Sequence, residues 1–330
     1  MKSIAAKVGL GLGLFLGIAG IAGNLGWTAE REVVAVGNPS LSSVAFFNLP
    51  RFAGKLGVKV VMRRMGTFTQ AQQAVELGAA DIGHIGYVNL LQMAVAGGPP
   101  KAKAVSGVFV GSEDIVFNKD VKITKWKDIE GKRVGRIPGS FAEFRFRAAA
   151  AHNGVDLSKV RLVNFGFSYV TLNLALKRKE VDALVIWAPG LVMPLVEGFG
   201  YRPSISIHDT PIGNINGVLG VSTRFIQESP GEAEKIVRAF VEATRHYAGN
   251  PEEWVKEVRA LTGADLPVVR EGLKYLELTN NLYLDKAKSL AKIAFKEKLV
   301  KKDASDAIGQ WIDYGLLMKV TGKSRKELGG

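Results

Sequence analysis

No cysteine occurs among the 330 residues. That excludes disulfides, a lipid-modified N-terminal cysteine, thiolate metal sites and cysteine nucleophiles. Histidine is scarce as well, with four in the chain. Asp81 and His84 lie three residues apart on one expected strand, and two ligands there make a poor metal site, so no metal or other cofactor is expected. Runs of like charge are also missing. Lys and Arg outnumber Asp and Glu by 44 to 31, a formal net charge of +13, yet the basic residues are dispersed and no nucleic-acid motif accompanies them. A solvated basic face is the plain reading, with an anionic membrane surface or an anionic ligand as alternatives. Acid is absent from the first 29 residues, where Lys2 and Lys7 precede the apolar run Val8–Gly26 with its seven glycines. This is the pattern of a secretory signal peptide, with cleavage after Ala22 or Ala29 and a retained anchor as the alternative. Without residues 1–29 the balance is 42 Lys and Arg against 31 acids, or +11. No later stretch is apolar enough over its length to read as a membrane span.

Residues 131–190 carry the clearest pattern. Val134–Ile137 reads as a strand and Pro138-Gly139 as a turn, and Ser140-Phe141-Ala142-Glu143 has the form of a capping box that opens a helix ending near Gly154. A strand over Val160–Phe165, a helix from Ser168 and the apolar strand Asp182–Trp187 complete a β-α-β-α-β unit. Small molecules bind such sheets at the carboxyl ends of the strands, near helix N-termini. The same pattern occurs 101 residues earlier with no gap. Val33–Val36 matches Val134–Ile137, Gly57–Val61 matches Ser158–Leu162, and Ala74–Asp81 matches Ala175–Asp182. Two similar α/β lobes facing each other imply a cleft.

The remaining segments fit around these lobes. Asn38–Ser43 is a hydroxyl-rich loop ahead of a helix that Pro50 kinks, and Thr67 or Thr69 caps the helix Gln70–Leu77. Gly83 and Gly86 leave room for close backbone approach, and Tyr87 is placed as an aromatic wall of the cleft. Gly111–Asp114 leads into Ile115–Asn118, the expected first crossing between lobes, and the segment around His208–Asn214 is expected to return. From Ser229-Pro230 onward the chain reads as helical scaffold over Glu232–Ala248, Pro251–Leu261 and Pro267–Glu277, with two more helices from about Asp285 and Asp303. The expected organisation is therefore α/β, with two Rossmann-like lobes joined by two crossing segments and a helical C-terminal tail. Its parts are a signal peptide (1–29), a discontinuous first lobe (30–115 and 210–330) and a second lobe (116–209).

Several segments in order carry a likeness to a known group. They are Gln73–Gly83, Asp128–Val134 followed by Gly139-Ser140, Val181-Asp182-Ala183 with Trp187-Ala188-Pro189, and Ser229-Pro230 with Asn250-Pro251. The chain resembles the periplasmic solute-binding proteins of ABC importers in the sulfonate, taurine and nitrate class, which includes thiamine-precursor binders. The resemblance implies a periplasmic binding protein fold of type II, expected to be a monomer, that closes on one small-molecule ligand and delivers it to an ABC transporter permease. It also implies ligand contacts at Ser40, Leu41, Thr67, Phe68, Gly86, Tyr87, Ser140, Phe141 and Trp187. Two departures stand out. Lys179 occupies the position of a usual glycine, and the loop over Asn38–Ser43 lacks an aromatic residue that many members carry.

Helix N-termini favour an anion and the aromatic residues an organic body, so a sulfonate or carboxylate is the expected solute. Glu113, Asp114, Glu143 and Asp209 leave a cationic or amine-bearing solute as the alternative, and a ligand sensor would use the same fold. No nucleophile elbow, metal cluster or phosphate-cradling loop supports an enzyme, and Ser140 has no evident base partner.

Overall fold

The computed structural model describes residues 31–166 and 168–330. The expected signal segment, 1–29, lies outside the described residues. The chain begins with β1 (Val33–Gly37), the short helices α1 (Val44–Phe47) and α2 (Leu49–Gly54), β2 (Val60–Arg64), α3 (Phe68–Glu76), β3 (Ile82–Gly86), α4 (Tyr87–Ala96) and the long β4 (Ala102–Gly111). It passes directly into β5 (Glu113–Asn118), followed by β6 (Arg133–Arg136), α5 (Phe141–His152), β7 (Arg161–Asn164), α6 (Tyr169–Lys177), β8 (Ala183–Trp187), α7 (Met193–Val196) and the two-residue β9 (Gly200–Tyr201). Next come β10 (Ile215–Ser222), α8 (Thr223–Glu228), α9 (Pro230–Gly249), α10 (Pro251–Thr262), α11 (Leu266–Leu273), β11 (Leu276–Leu278), α12 (Leu284–Lys296) and α13 (Gly315–Thr321).

These strands form two sheets, β2-β1-β3-β10-β4-β11 and β7-β6-β8-β5-β9. In each, three parallel strands meet an antiparallel one that arrives from the other sheet, with β10 beside β3 and β5 beside β8. The repeat in the sequence is a structural repeat. β2 and β7, α3 and α6, and β3 and β8 start 101 residues apart. Even the caps correspond, since Thr67 Oγ1 accepts from Gln70 N at 3.1 Å and Ser168 Oγ from Thr171 N at 3.2 Å. So do the carboxylates that begin β3 and β8. Asp81 accepts from Val34 N at 3.0 Å and Asp182 from Arg133 N at 2.7 Å.

Alternation along the second sheet explains its layers. Val134, Ala183 and Val185 turn to one face, against Trp126 and Phe146, while Val116, Leu184 and Ile186 turn to the other, against Leu172 and Leu176. The first sheet is buried in one larger core that includes Ile236, Phe240 and Tyr247 of α9. These positions recur at helical spacing, and Pro230 at the first turn costs no hydrogen bond because that N–H has no intrahelical acceptor.

Three details differ from the sequence reading. The kink expected at Pro50 is a full break at Asn48, with Pro50 in the first turn of a new helix. The helix expected over Pro267–Glu277 stops at Leu273, and Leu276–Leu278 adds a strand antiparallel to β4. The last helix begins at Gly315, preceded by a 3-10 turn at Ile308–Trp311. Among the described residues no helix is long and apolar enough to cross a membrane.

Lys179 and Gly78 are repeat partners, and both adopt left-handed backbone with φ of 59° and 74°. The lysine keeps that conformation although a Cβ there costs about 1–2 kcal/mol, offset in part by its exposed ion pair with Asp120 at 2.7 Å. Glycine carries a larger unfolded-state entropy, roughly 0.5–1 kcal/mol. Lys179→Gly is therefore expected to raise stability by about 0.5 kcal/mol. Urea unfolding would show this as a higher midpoint at constant slope, and a lower midpoint would contradict the assignment of strain.

Candidate functional site

The two sheets meet where the chain crosses between them, at Gly111-Ser112 and again over residues 202–214. Ser112 has a φ of 83°, rare for a residue with a Cβ. It is held on both sides, its N–H donating to Tyr275 O at 2.8 Å and its carbonyl accepting from Ala188 N at 2.7 Å. Gly111 N donates to Asn214 O at 2.7 Å, which ties the first crossing to the second.

A charged cluster lies beneath this junction. Arg145, from the second turn of α5, is fully buried and meets Glu113 Oε1 at 2.8 Å. Its Nη1 donates to Gly213 O and lies 3.1 Å from His208 Nδ1. His208 Nε2 is 2.8 Å from Glu113 O. If Nε2 carries the proton it donates to that carbonyl, and Nδ1 is left to accept from Arg145. Burial and the neighbouring guanidinium both lower the His208 pKa, consistent with that neutral form. Asn216 Nδ2 donates to Glu113 Oε2 and, at 2.8 Å, to Gly111 O. Beside it, Asp114 accepts from Ser206 Oγ at 2.8 Å, Ile207 N at 3.0 Å and Arg202.

Above the junction a cavity of about 520 Å³ opens between the sheets. Ser40, Leu41, Thr67, Phe68, Ser140, Phe141 and Trp187 all border it. The first-turn N–H groups of Phe68 and Thr69 on α3, and of Phe141 and Ala142 on α5, have no intrahelical acceptor. Thr67 and Ser140 cap the next donors, Ser140 Oγ accepting from Glu143 N at 3.2 Å. Glu143 does not close the capping box onto Ser140 itself. Its carboxylate accepts from Gly139 N at 2.7 Å and pairs with Arg136 and with Arg147 at 2.8 Å.

Gly86 and Tyr87 do not border the cavity. Tyr87 is 1% exposed, and its hydroxyl accepts from Tyr283 N at 2.9 Å on the side covered by the C-terminal tail. At about 100° per residue, α4 presents Val88 and Asn89 to the cavity instead. Asn89 Oδ1 accepts from Gly86 N at 2.9 Å, so Gly86 serves the helix cap. Besides Val88 and Asn89, the lining residues missed from sequence include Ser112 and Asn216 near the crossings, and three further sets. Arg64 ends β2, just ahead of the loop that was identified. Phe109 lies inside β4. Leu261, Thr262 and Ala264 come from the tail that reads as scaffold. Trp254 joins that tail to the site by donating to Leu41 O at 3.1 Å, a contact across more than 200 residues that no local pattern signals.

No curated protein sequence matches the chain. Residues 54–254, more than half of it, match the NMT1/THI5-like family model. The chain belongs to the NMT1/THI5-like family. Its fold is that of periplasmic binding proteins. The aliphatic sulphonate binding protein SsuA from Escherichia coli is similar at a TM-score of 0.72 and 16% identity, covering 86% of this chain and 92% of that one. The MOPS-bound alkanesulfonate-binding protein SsuA from Xanthomonas axonopodis pv. citri gives 0.68 and 17%, with 86% and 98% covered. The nitrate-binding protein NrtA from Synechocystis PCC 6803 gives 0.72 and 11%, with 88% of each chain covered. By their names these neighbours are solute-binding proteins.

Within this NMT1/THI5-like chain the acids weighed for a cationic solute are engaged elsewhere. Glu113 and Asp114 are buried in the crossing cluster, Glu143 pairs with two arginines, and Asp209 accepts from Ser206 N at 2.8 Å. None borders the cavity. Among the described residues no group of three or more His, Asp or Glu is placed to hold a metal.

Removing one partner of a buried ion pair typically costs about 3–5 kcal/mol, whereas replacing both by apolar groups is often close to neutral. Arg145→Met is therefore expected to destabilise the protein by about 3 kcal/mol or more, and the double variant with Glu113→Leu to recover most of it in urea unfolding. Strict additivity would rule out the coupling. Tyr87→Phe removes the acceptor for Tyr283 N and is expected to cost about 1 kcal/mol with no change in ligand affinity. A large affinity loss would put Tyr87 back in the cleft.

Proposed function

We propose that the chain is the substrate-binding component of an ABC import system, exported to the periplasm, where it captures a small organic anion between its lobes and delivers it to a membrane permease. The expected boundaries, 30–115 with 210–330 and 116–209, divide the chain near its two crossings and serve as the working definition of those lobes. One observation carries the reading. The cavity gathers Arg64, which makes no ion pair among the described residues, and the first-turn N–H groups of α3 and α5, with no carboxylate in its lining. Each helix terminus contributes roughly 0.3–1 kcal/mol toward an anion at an exposed site, and a guanidinium adds a charge-assisted hydrogen bond. Phe68, Phe109, Phe141, Tyr169 and Trp187 give the cavity aromatic walls, which suit an organic body better than a bare inorganic ion. The sulfonate and nitrate ligands in the neighbours' names agree with the sign of charge.

A thermal-shift screen of the protein lacking residues 1–29, against sulfonates, carboxylates, nitrate and small amines, tests this directly. Saturation at a hundredfold excess over Kd stabilises a folded protein by about 2.7 kcal/mol. The expected hit is an organic anion whose affinity falls about tenfold or more in Arg64→Ala and in Trp187→Ala. Binding of amines alone, or an anion whose affinity neither substitution changes, would sink the reading.

A further inference from the structure

His84 lies at the centre of β3, fully buried, and neither of its ring nitrogens has a hydrogen-bond partner among the described residues. Buried polar side chains are almost always partnered, so an orphan of this kind calls for an explanation. Its neighbours are rings, with centroids at 4.7 Å for Phe68, 5.5 Å for Phe46 and 5.8 Å for Phe109. Phe68 and Phe109 both border the cavity between the sheets.

The imidazole leans toward that cavity. His84 is paired with Leu219 of β10, and Gly86, two residues nearer the carboxyl end of β3, is paired with Gly217. Nε2 lies only 2.8 Å from where a Cβ on Gly217 would sit, and the Phe109 ring lies 2.4 Å from that same point. The ring has therefore advanced along the strand to the end where the cavity opens, and glycine at 217 is what lets it lie against the sheet. Phe68, in the first turn of α3 and half-buried, packs its edge 3.3 Å from a Cβ placed on Gly86. Two aromatic side chains on the cavity wall, Phe68 and Phe109, thus flank the imidazole.

We propose that His84 is a specificity-determining residue at the floor of the cleft, reached when Phe68 turns aside, and that it selects organic anions whose aromatic body carries a neutral hydrogen-bonding group. The inference rests on the organic-anion reading above. A neutral imidazole offers one N–H and one lone pair, so it can donate to and accept from a hydroxyl or amide, while it brings no charge to favour a second anion. Burial lowers the His84 pKa to about 3, so the ring stays neutral across the range in which such a protein works. Its aromatic surroundings suit a flat ring stacked or set edge-on.

The test compares benzenesulfonate with 4-hydroxybenzenesulfonate by calorimetric titration, on the wild type and on His84→Phe. The expected result is that the hydroxylated sulfonate binds the wild type at least tenfold more tightly, and that His84→Phe removes the difference while leaving benzenesulfonate affinity within twofold. Nitrogen-15 spectra of the histidine-labelled wild type give a readout that does not depend on the variant folding. A His84 ring nitrogen should shift with the hydroxylated sulfonate and stay in place with benzenesulfonate. Equal affinities of the two sulfonates, or ring nitrogens that the hydroxylated one leaves unmoved, would make His84 a packing residue only and leave the organic-anion reading intact. If neither these sulfonates nor any other anion binds, that reading fails and this one with it.

Discussion

Arg145 stands one turn after Phe141 on α5, and its guanidinium is held by Glu113 and Gly213, one from each segment that crosses between the sheets. Taking these charges out of water is expensive, and burial, with the neighbouring Asp114 adding to it, pushes the Glu113 carboxyl up to about 7 against the pull of Arg145. Net stability is therefore a poor account of the pair. Position is a better one. The Phe141 ring lies 4.3 Å from the guanidinium carbon, so the same helix carries the cavity-facing turn Ser140–Ala142 at one end and the crossing anchor one turn further on. Where α5 stands relative to both crossings is fixed by this one group, and with it the direction in which the second sheet presents its N–H donors.

The chemistry of the cleft follows from which charges the fold leaves unspent. The chain has 31 acidic residues, yet those nearest the site are consumed by arginines and backbone donors before they reach the cavity. Among the described residues, Arg64 is the one basic residue that borders it. The strong positive balance of the sequence is thus irrelevant to the ligand except at one position. On the proposed reading, selectivity for an anion would rest on that side chain, on partial charges at two helix ends and on the exclusion of carboxylates, in a site walled by rings. A cationic solute would meet the positive end of both helices with nothing to offset it.

Much of this was legible in the sequence because it is local. Strand, turn, cap and helix recur at a constant displacement, and the repeat was readable from apolar periodicity and a few polar positions such as Asp81 and Asp182. The capping residues Thr67 and Ser140 were legible for the same reason, since a cap is decided within four residues. Tyr87 was not, because its direction depends on whether the first turn of α4 faces the cleft or the tail, and that is settled by packing against Tyr283, nearly 200 residues away. Arg145 gave no signal either. On an alanine-rich helix it reads as one more surface arginine, and only the meeting of two crossings makes it an interior one. The lining residues of α10 fall in the same class, placed by Trp254 against Leu41.

The lobes are unequal partners, and that bears on how a ligand could draw them together. The first sheet contributes Arg64 and the rings of Phe68 and Phe109, the second contributes Ser140, Phe141 and Trp187, and the tail adds Leu261, Thr262 and Ala264 from the first side. A ligand shifts such an equilibrium only through contacts that differ between the open and closed forms. An anion held by Arg64 and α3 alone would bind both forms equally well. Closure is favoured only when the same molecule also engages the first turn of α5, and the molecule must therefore be long enough to span the gap. Gly111 and Ser112 hold positive φ angles and are tied to Asn214, Tyr275 and Ala188, so the backbone of the first crossing is held at both of its residues. On the proposed reading, the anchored α5 meets a bound solute in one orientation, which would make the length and shape of the solute, as well as its charge, part of what the cleft selects.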